Sequence, residues 1–377
     1  MRAQRPVIQL IDARAAPKGL KGRGAVSSIA HRFSSRVHED FDDGWGTQEQ
    51  AVREERLAPQ TQLFEEQVRS ILSANDSPDI GFDLSINPYR GCEHGCVYCY
   101  ARPTHAYLSL SPGLDFETHI VAKVNAAQRL RETFSRPAYV PKMLNLGSVT
   151  DAYQPAERRL SITRSVIELL SESRHAFSVI TKSSLVERDL DLIAPMAEAR
   201  LAAAYVSITT LDNDLARVME PRAASPQRRL RCIETLARAG VPVGVSVSPM
   251  IPFLNEPELE RILDAAAAAG ASRAFSVVLR LPWEVNPLFQ QWLSQHFPER
   301  AARIMARVRE MRGGRDNDAR FGSRMTGQGV WAKLLRQRLN KACARLGLNR
   351  ERIELDLGQF KPPASGNGHT SSQASLF

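Results

Sequence analysis

The chain has 377 residues, of which 43% are hydrophobic and 24% charged, so it can bury a core of one large or two smaller domains and is not a wholly disordered protein. Five cysteines are too few for a disulfide scaffold. The formal net charge of +9 is compatible with a polyanionic partner. No run of about 18 apolar residues is present, so the sequence predicts no membrane-spanning helix.

The first part of the chain, residues 1–77, is predicted to be a partly disordered extension with segregated charge. Residues 1–36 hold eight basic residues and one acidic residue, whereas residues 39–56 hold seven acidic residues and two arginines. The N-terminus lacks the apolar core of a secretory signal. We therefore expect a cytoplasmic protein, in which thiols stay reduced and clustered cysteines more often bind metal.

Residues 78–285 have the pattern of one α/β unit. Helix-like segments at 116–135, 162–173, 189–199, 225–239 and 257–269 alternate with β-rich runs. Those runs are 82–87, 143–149, 177–182, 204–209, 241–248 and 274–281. Strands that alternate with helices indicate a parallel sheet with right-handed crossovers. The predicted fold class is α/β, a partial (β/α)6 barrel with functional residues at the carboxyl ends of its strands.

The last part of the chain is predicted to be helical and then flexible. Residues 286–360 form an Arg-rich helical extension, and the basic excess is strongest at 299–352, with fifteen basic and five acidic residues. Residues 361–377 are rich in Pro, Ser, Gly and Asn, which predicts a flexible tail.

Three cysteines carry the strongest chemical signal. Cys92, Cys96 and Cys99 have the spacing C-x3-C-x2-C and follow the first predicted strand, whereas Cys232 and Cys343 stand alone within predicted helices. Three thiolates on one loop suit a soft metal centre, and a four-iron cluster held by three cysteines keeps one iron open for another ligand. The alternatives are a thioredoxin-type redox pair and a structural zinc site with a remote fourth ligand.

This cysteine motif, with an aromatic residue before its last cysteine, resembles the radical S-adenosylmethionine (SAM) superfamily. The resemblance extends over roughly residues 80–285, and within the superfamily the text is similar to the branch related to spore photoproduct lyase. It is carried by NPYRGCEHGCVYCYARP, TDAYQP, ITKSSLVERDLDL, EPRAASPQRRL and IPFLNEPELE. The resemblance implies that the three cysteines hold a [4Fe–4S] cluster whose open iron is chelated by SAM.

The resemblance also implies a set of side chains that bind SAM. Lys182, at the end of the third predicted strand, would bind the methionine carboxylate, and Ser207 on the fourth strand would contact the same carboxylate. Thr150 and Asp151 match a Ser-Asp pair that contacts the amine and ribose of the cofactor. For Asp151 alone, the sequence is equally compatible with a helix cap.

Two tyrosines, one serine and one arginine are further candidates for the site. Tyr98 and Tyr100, on either side of Cys99, would pack against the adenine or belong to the core. Ser148 stands where the lyase has a cysteine hydrogen donor, and a hydroxyl hydrogen is too strongly bonded to replace a thiol in that role. Arg280, at the end of the sixth predicted strand, is a candidate ligand for phosphate or substrate. The sequence identifies no catalytic side chain.

Partners are predicted from the two ends of the chain. The basic segments 1–36 and 299–352 would contact nucleic acid or form a solvated face. The final QASLF resembles the peptide with which bacterial replication and repair proteins bind the DNA polymerase sliding clamp, and its anchors would be Gln373, Leu376 and Phe377. The cluster would need an electron donor such as flavodoxin or ferredoxin.

The leading hypothesis is a radical SAM enzyme, of the lyase or oxidoreductase class, that reductively cleaves SAM and abstracts a hydrogen from damaged or modified DNA. One alternative is a radical SAM enzyme that acts on a protein or a small molecule. The other is a non-enzymatic, metal-stabilised protein that binds nucleic acid.

Overall fold

The computed structural model describes residues 22–25, 27–34 and 60–364. Ten strands lie in this part of the chain. They are β1 Gln62–Glu66, β2 Leu72–Ala74, β3 Leu84–Ile86, β4 Tyr89–Arg90, β5 His119–Lys123, β6 Leu144–Leu146, β7 Phe177–Thr181, β8 Ala202–Ser207, β9 Val243–Ser246 and β10 Arg273–Phe275.

The larger sheet has seven strands in the order β10-β9-β8-β7-β6-β3-β2. All neighbours pair in parallel except β2, which runs antiparallel to β3 at one edge. The six parallel strands follow one another along the chain in the same order as across the sheet. This arrangement confirms the predicted α/β fold of the partial-barrel type, and no closed barrel forms among the described residues.

Twelve α-helices accompany the strands in the described residues. They are α1 Asp115–Thr118, α2 Ala126–Phe134, α3 Glu157–Leu160, α4 Ile162–Glu172, α5 Leu190–Glu198, α6 Asn213–Met219, α7 Pro226–Arg238, α8 Leu259–Ala268, α9 Val285–His296, α10 Pro298–Met311, α11 Ser323–Thr326 and α12 Gly329–Leu346. Short 3-10 helices lie at Arg102–Leu108, Ser184–Asp189, Glu256–Glu258 and Leu357–Gln359. No helix in the described ranges is both long and apolar enough to cross a membrane.

One local prediction was wrong. The segment 116–135, predicted as one helix, contains strand β5 between α1 and α2, because its apolar residues alternate buried and half-buried positions. The same strand pairs in parallel with β1, which is formed by residues 62–66 of the predicted extension. The sequence did not indicate this pairing, because it is a contact between segments far apart in the chain.

A second apolar cluster joins the barrel mouth to the C-terminal helices. Val97 and Tyr98, from the cysteine loop, pack in it with Leu279 and Leu281 and with the buried face of α9, which includes Trp292. The indole nitrogen of Trp292 donates to the carbonyl of Val218 at 3.0 Å. The helical extension is therefore attached to the segment that carries the cysteines.

Candidate active site

The three cysteines lie on a loop that directly follows the short strand β4, which is itself separated from the carboxyl end of β3 by two residues. Gly91 and Gly95 both adopt left-handed backbone conformations, with φ of 78° and 67°. A Cβ atom would lie 2.9 Å from the carbonyl oxygen of Phe116 at position 91 and 2.7 Å from the Glu117 carboxylate at position 95. Glycine is needed at both positions because the loop turns tightly against the segment around α1.

The chemistry of these cysteines fits an iron–sulfur cluster. Cys92 and Cys96 are buried, Cys99 is half-buried, and none forms a disulfide. Burial raises the pKa of Cys92, and it raises the pKa of Cys96 to about 12 even though the charge of Lys182 acts in the opposite direction. Buried thiols of this kind need the positive charge of a metal to ionise.

Within the described ranges, no three His, Cys, Asp or Glu side chains are grouped so that they could hold one metal ion. A four-iron cluster does not require such a group, because each cysteine binds a different iron atom.

A buried arginine holds the backbone of the cysteine loop. Arg102 has no exposed surface and donates to the carbonyl of Cys96 at 2.9 Å and to that of Gly95 at 3.2 Å. The same guanidinium forms an ion pair of 2.5 Å with the fully buried Glu117. Neither residue could be recognised from the sequence pattern, although Arg102 lies only three positions after Cys99 in NPYRGCEHGCVYCYARP.

Glu117 also fixes a piece of the N-terminal extension. Its carboxylate accepts from the backbone nitrogens of Gly24 at 3.0 Å and Ala25 at 2.8 Å. Gly24 lies directly on the loop, because a Cβ there would be 1.8 Å from the carbonyl oxygen of Gly95. The extension is thus part of the site's support at residues 22–25.

Thr150, proposed as a cofactor contact, reaches the loop instead. Its hydroxyl donates to the carbonyl of Gly91 at 2.6 Å and accepts from Nε2 of Gln154 at 3.1 Å. Gln154 also accepts from the backbone nitrogen of Glu93 at 2.9 Å. The segment after β6 therefore positions the cysteine loop, and Gln154 is a second support that sequence reasoning missed.

Asp151 is the junction between this segment and the end of β7. Its carboxylate accepts from the Thr181 hydroxyl at 2.7 Å, from the backbone nitrogen of Lys182 at 2.8 Å and from that of Tyr153 at 2.9 Å. His94, on the cysteine loop, approaches at 3.2 Å. Burial raises the pKa of Asp151, but His94 and these donors outweigh it and bring the pKa down to about 2. The backbone contact to Tyr153 closes a local turn and is not the helix cap of the alternative interpretation, because the next helix, α3, begins at Glu157.

Lys182 brings a positive charge to the same place. Its ammonium group lies 5.7 Å from the centre of the Tyr98 ring. Burial acts to lower the pKa of Lys182, but the nearby charges of Cys96 and Glu220 outweigh it and raise the pKa above its usual value. Lys182 therefore stays protonated between the cysteine loop and the strand ends, where an anionic ligand group can reach it.

Glu220 is the centre of a buried network that sequence reasoning also missed. It accepts from the hydroxyls of Tyr98 and of Thr209, the latter at 2.5 Å, and pairs with the buried Arg229. Burial raises the pKa of Glu220, but Arg229 and Lys182 outweigh it and lower the pKa to about 2. Tyr98 is therefore held in the core by its hydroxyl group.

Ser207 closes β8 beside this network. It is 4% exposed, and its carbonyl accepts from Nη1 of Arg229 at 3.0 Å. The segment EPRAASPQRRL contains both Glu220 and Arg229. Its charged residues were the only sequence feature that could have indicated this buried network. A sequence does not show which charges of such a run are buried.

Tyr100 lies at the open side of the site. Its side chain is 49% exposed, its hydroxyl donates to the carbonyl of Ser148, and the guanidinium of Arg280 lies 5.5 Å from its ring centre. The Ser148 hydroxyl exchanges hydrogen bonds of 3.1 and 3.3 Å with the side chain of Asn87. The side chain at this position is therefore held by a neighbour at the end of β3.

All the proposed site residues thus lie on the cysteine loop or at the carboxyl ends of β6, β7 and β8. They are Cys92, Cys96, Cys99, Tyr98, Tyr100, Thr150, Asp151, Lys182 and Ser207. Parallel strands bring these ends to one edge of the sheet, which is where ligands bind in α/β folds. The arrangement offers thiol ligands, a buried cation and hydroxyl groups around one mouth.

Comparison with known proteins agrees with this geometry. The Radical SAM superfamily profile matches residues 86–266. An uncharacterized protein of Mycobacterium tuberculosis is 38% identical over 232 residues, which are 61% of this chain and 67% of the relative. An uncharacterized protein of Methanocaldococcus jannaschii is 26% identical over 222 residues, 58% of this chain and 78% of the relative.

Among solved structures, spore photoproduct lyase complexed with dinucleoside spore photoproduct superimposes with a TM-score of 0.53. It has 16% sequence identity and covers 76% of this chain and 80% of the lyase. At this level of sequence identity, the similarity is evidence for a shared fold and for nothing further.

Proposed function

Because the chain belongs to the radical SAM superfamily of enzymes, we propose that it reductively cleaves SAM at a [4Fe–4S] cluster held by Cys92, Cys96 and Cys99. The observation that carries this proposal is the position of the cysteine loop, next to the protonated Lys182 at the end of β7. When bound, the cluster and SAM supply one-electron chemistry that yields methionine and a 5′-deoxyadenosyl radical for hydrogen abstraction.

The protein binds and orients the cofactor in this proposal. Lys182 neutralises the methionine carboxylate, and Ser207 contacts the same group from the next strand end. Tyr100, which is half-exposed at the mouth, packs against the adenine. Tyr98 is held by its hydrogen bond to Glu220, so its ring is fixed beside the cysteine loop.

Thr150 and Asp151 can contact the amine and ribose of SAM only with lone pairs that are not already used in hydrogen bonds within the protein. Both are already hydrogen-bonded within the protein, Thr150 to Gly91 and Asp151 to Thr181 and Lys182. We therefore assign them a main role in positioning, with the cofactor contact as an addition.

We further propose that the substrate is damaged or modified DNA and that the reaction is of the lyase or oxidoreductase class. The fold shared with spore photoproduct lyase, solved as a complex with dinucleoside spore photoproduct, supports this substrate. A partner such as flavodoxin or ferredoxin would supply the electron. The proposed clamp-binding residues Gln373, Leu376 and Phe377 lie outside the described residues, and this interaction stays a prediction.

The test is anaerobic reconstitution with iron and sulfide, reduction, addition of SAM and chromatographic measurement of 5′-deoxyadenosine. We expect product from the native chain and none from Cys96→Ala. The matched control is Cys343→Ala, because Cys343 is also a buried free cysteine but lies on α12. No product from the native chain, or equal product from Cys96→Ala, would contradict the enzymatic proposal.

A further inference from the structure

Three exposed aromatic side chains surround one arginine, Arg32. The Arg32 guanidinium carbon lies 4.5 Å from the ring centre of Phe33, 5.1 Å from that of Tyr107 and 4.6 Å from that of Trp283. The aromatic side chains are 55%, 69% and 61% exposed, respectively. Together with Arg32 we call them the aromatic platform. Cation–π contacts occur roughly once per 70–80 residues, so three on one guanidinium form a concentrated arrangement.

Arg32 anchors the aromatic platform to a buried carboxylate. Arg32 forms an ion pair of 3.0 Å with Glu284, whose side chain has no exposed surface, and its backbone nitrogen also donates to Glu284 at 3.0 Å. Trp283 adopts a left-handed backbone conformation, with φ of 44°, which is unfavourable for a bulky residue. The fold therefore presents a large aromatic ring to solvent at some conformational cost, while the charge of Arg32 is neutralised from below.

Two short stretches of chain connect the aromatic platform to the proposed site. Tyr107 belongs to the 3-10 helix Arg102–Leu108, which begins three residues after Cys99, and Nη1 of Arg32 donates to the carbonyl of Pro103 in this helix at 3.4 Å. Trp283 follows Arg280 by three residues, and Arg280 lies over the exposed ring of Tyr100. We therefore expect a ligand that covers the platform to extend towards Tyr100.

Arg280 adds a cation without a carboxylate partner. No ion pair to Arg280 is present within residues 22–25, 27–34 and 60–364, and its buried Nε has no hydrogen-bond partner there. Among the described residues, its side chain makes one weak hydrogen bond, 3.8 Å to the sulfur of Met325. A half-buried guanidinium with unused donors suits an incoming phosphate group.

The arginines of the C-terminal extension are less available. Most of those near the barrel pair with carboxylates or donate to backbone carbonyls, as Arg338 does with Glu256 and Glu260 and as Arg312 does with the carbonyl of Val278. Further pairs involve Arg309 with Asp316, Arg320 with Asp318, Arg324 with Asp79 and Arg345 with Asp264. A phosphate-binding surface made of this extension alone would have to compete with these acidic partners.

We propose that the aromatic platform binds unpaired bases of single-stranded DNA, with Arg280 on a backbone phosphate, and leads one nucleotide into the site. This inference rests on the proposed nucleic-acid function and adds where and in what form the DNA is bound. Flat exposed rings bind bases of any sequence by stacking, and the adjacent cation contacts the backbone. A paired duplex hides its base faces, so the platform favours unpaired or flipped bases.

The test uses the reconstituted protein and a fluorescein-labelled single-stranded oligodeoxynucleotide of about 15 nucleotides, followed by anisotropy. We expect tighter binding than to the matching duplex and no measurable binding of a mononucleotide. Tyr107→Ala and Trp283→Ala should each weaken binding by about tenfold. Arg280→Gln should reduce the slope of log K against log salt by about 0.7.

The matched control is Phe64→Ala, since Phe64 is also exposed, at 44%, but lies on β1 and stacks on His119. Its affinity for the oligonucleotide should equal that of the native chain. Unchanged binding by the Tyr107 and Trp283 variants, or preference for the duplex, would overturn the inference. Complete absence of oligonucleotide binding would also overturn it.

Formation of 5′-deoxyadenosine without DNA separates this inference from the proposed function. Trp283→Ala should retain that activity, because Trp283 lies outside the cofactor site. A native chain that binds the oligonucleotide but forms no 5′-deoxyadenosine would refute the proposed function and leave the aromatic platform supported.

Discussion

Arg102 and Glu117 form an ion pair in which neither side chain has any exposed surface. Arg102 reaches the carbonyls of Gly95 and Cys96, and Glu117 reaches the backbone of residues 24 and 25. One buried pair therefore connects the cysteine loop to a segment about 70 residues earlier in the chain. Through this pair the loop is positioned by protein contacts as well as by any cluster that it holds.

Removing one partner of this pair should destabilise the protein strongly. Glu117→Gln leaves the Arg102 charge buried without its carboxylate, and we expect a loss of about 3–5 kcal/mol in the free energy of unfolding. Urea denaturation of the cluster-free protein measures it. The control is Glu234→Gln, which removes an exposed pair with Arg238 and should cost under about 0.5 kcal/mol. Similar losses for both variants would contradict the structural role of the buried pair.

The sequence predicted the parts of this molecule that depend on local pattern. The six parallel strands and the three cysteines could be identified because alternation with helices and the C-x3-C-x2-C spacing are short-range signals. The pairing of β1 with β5 and the roles of Arg102, Glu117 and Glu220 could not. They depend on contacts between distant segments, and a charged residue in a sequence is more often solvated than buried.

Lys182 offers a direct test of SAM binding. Lys182→Met keeps much of the side-chain volume but removes the cation proposed to bind the methionine carboxylate. A hydrogen bond to a charged group contributes about 1.5–3 kcal/mol, so we expect the Kd for SAM to rise by about 10- to 150-fold with unchanged iron content. Equilibrium dialysis of the reconstituted, unreduced protein measures this Kd.

The control for this substitution is Lys142→Met, because Lys142 is exposed and lies before β6, at the opposite end of the strand from the site. Its SAM affinity should match that of the native chain. If Lys182→Met binds SAM as the native chain does, the carboxylate is bound by another group.

His175 should make stability depend on pH. Its ring is fully buried and stacks on Phe134 at 4.8 Å, and burial lowers its pKa to about 4. The unfolded chain, with an ordinary histidine pKa near 6.5, binds more protons between these values. The contribution of the neutral ring, about 3 kcal/mol, is therefore complete above about pH 6.5 and is lost as the pH falls towards 4.

Urea denaturation at several pH values between about 4 and 7 checks this expectation. His175→Asn should make the pH dependence less steep, whereas Tyr139→Phe, which removes the 2.8 Å hydrogen bond to His175 but leaves the ring buried, should keep it. An equally steep profile in His175→Asn would assign the pH dependence to other groups, such as His105, whose pKa burial also lowers to about 4.

Gly24 should be indispensable for attaching the N-terminal segment to the cysteine loop. In Gly24→Ala the new methyl group would lie 1.8 Å from the carbonyl oxygen of Gly95, so residues 22–25 must move away and Glu117 loses two backbone donors. We expect a loss of about 1–3 kcal/mol in the free energy of unfolding. The side chain of Arg23 is buried in the native protein, so tryptic cleavage after this residue should become faster in the variant.

Gly81→Ala is the matched control, because its added methyl group has no heavy atom within 4 Å. Equal cleavage rates and equal stabilities in the two variants would show that the segment does not support the cysteine loop.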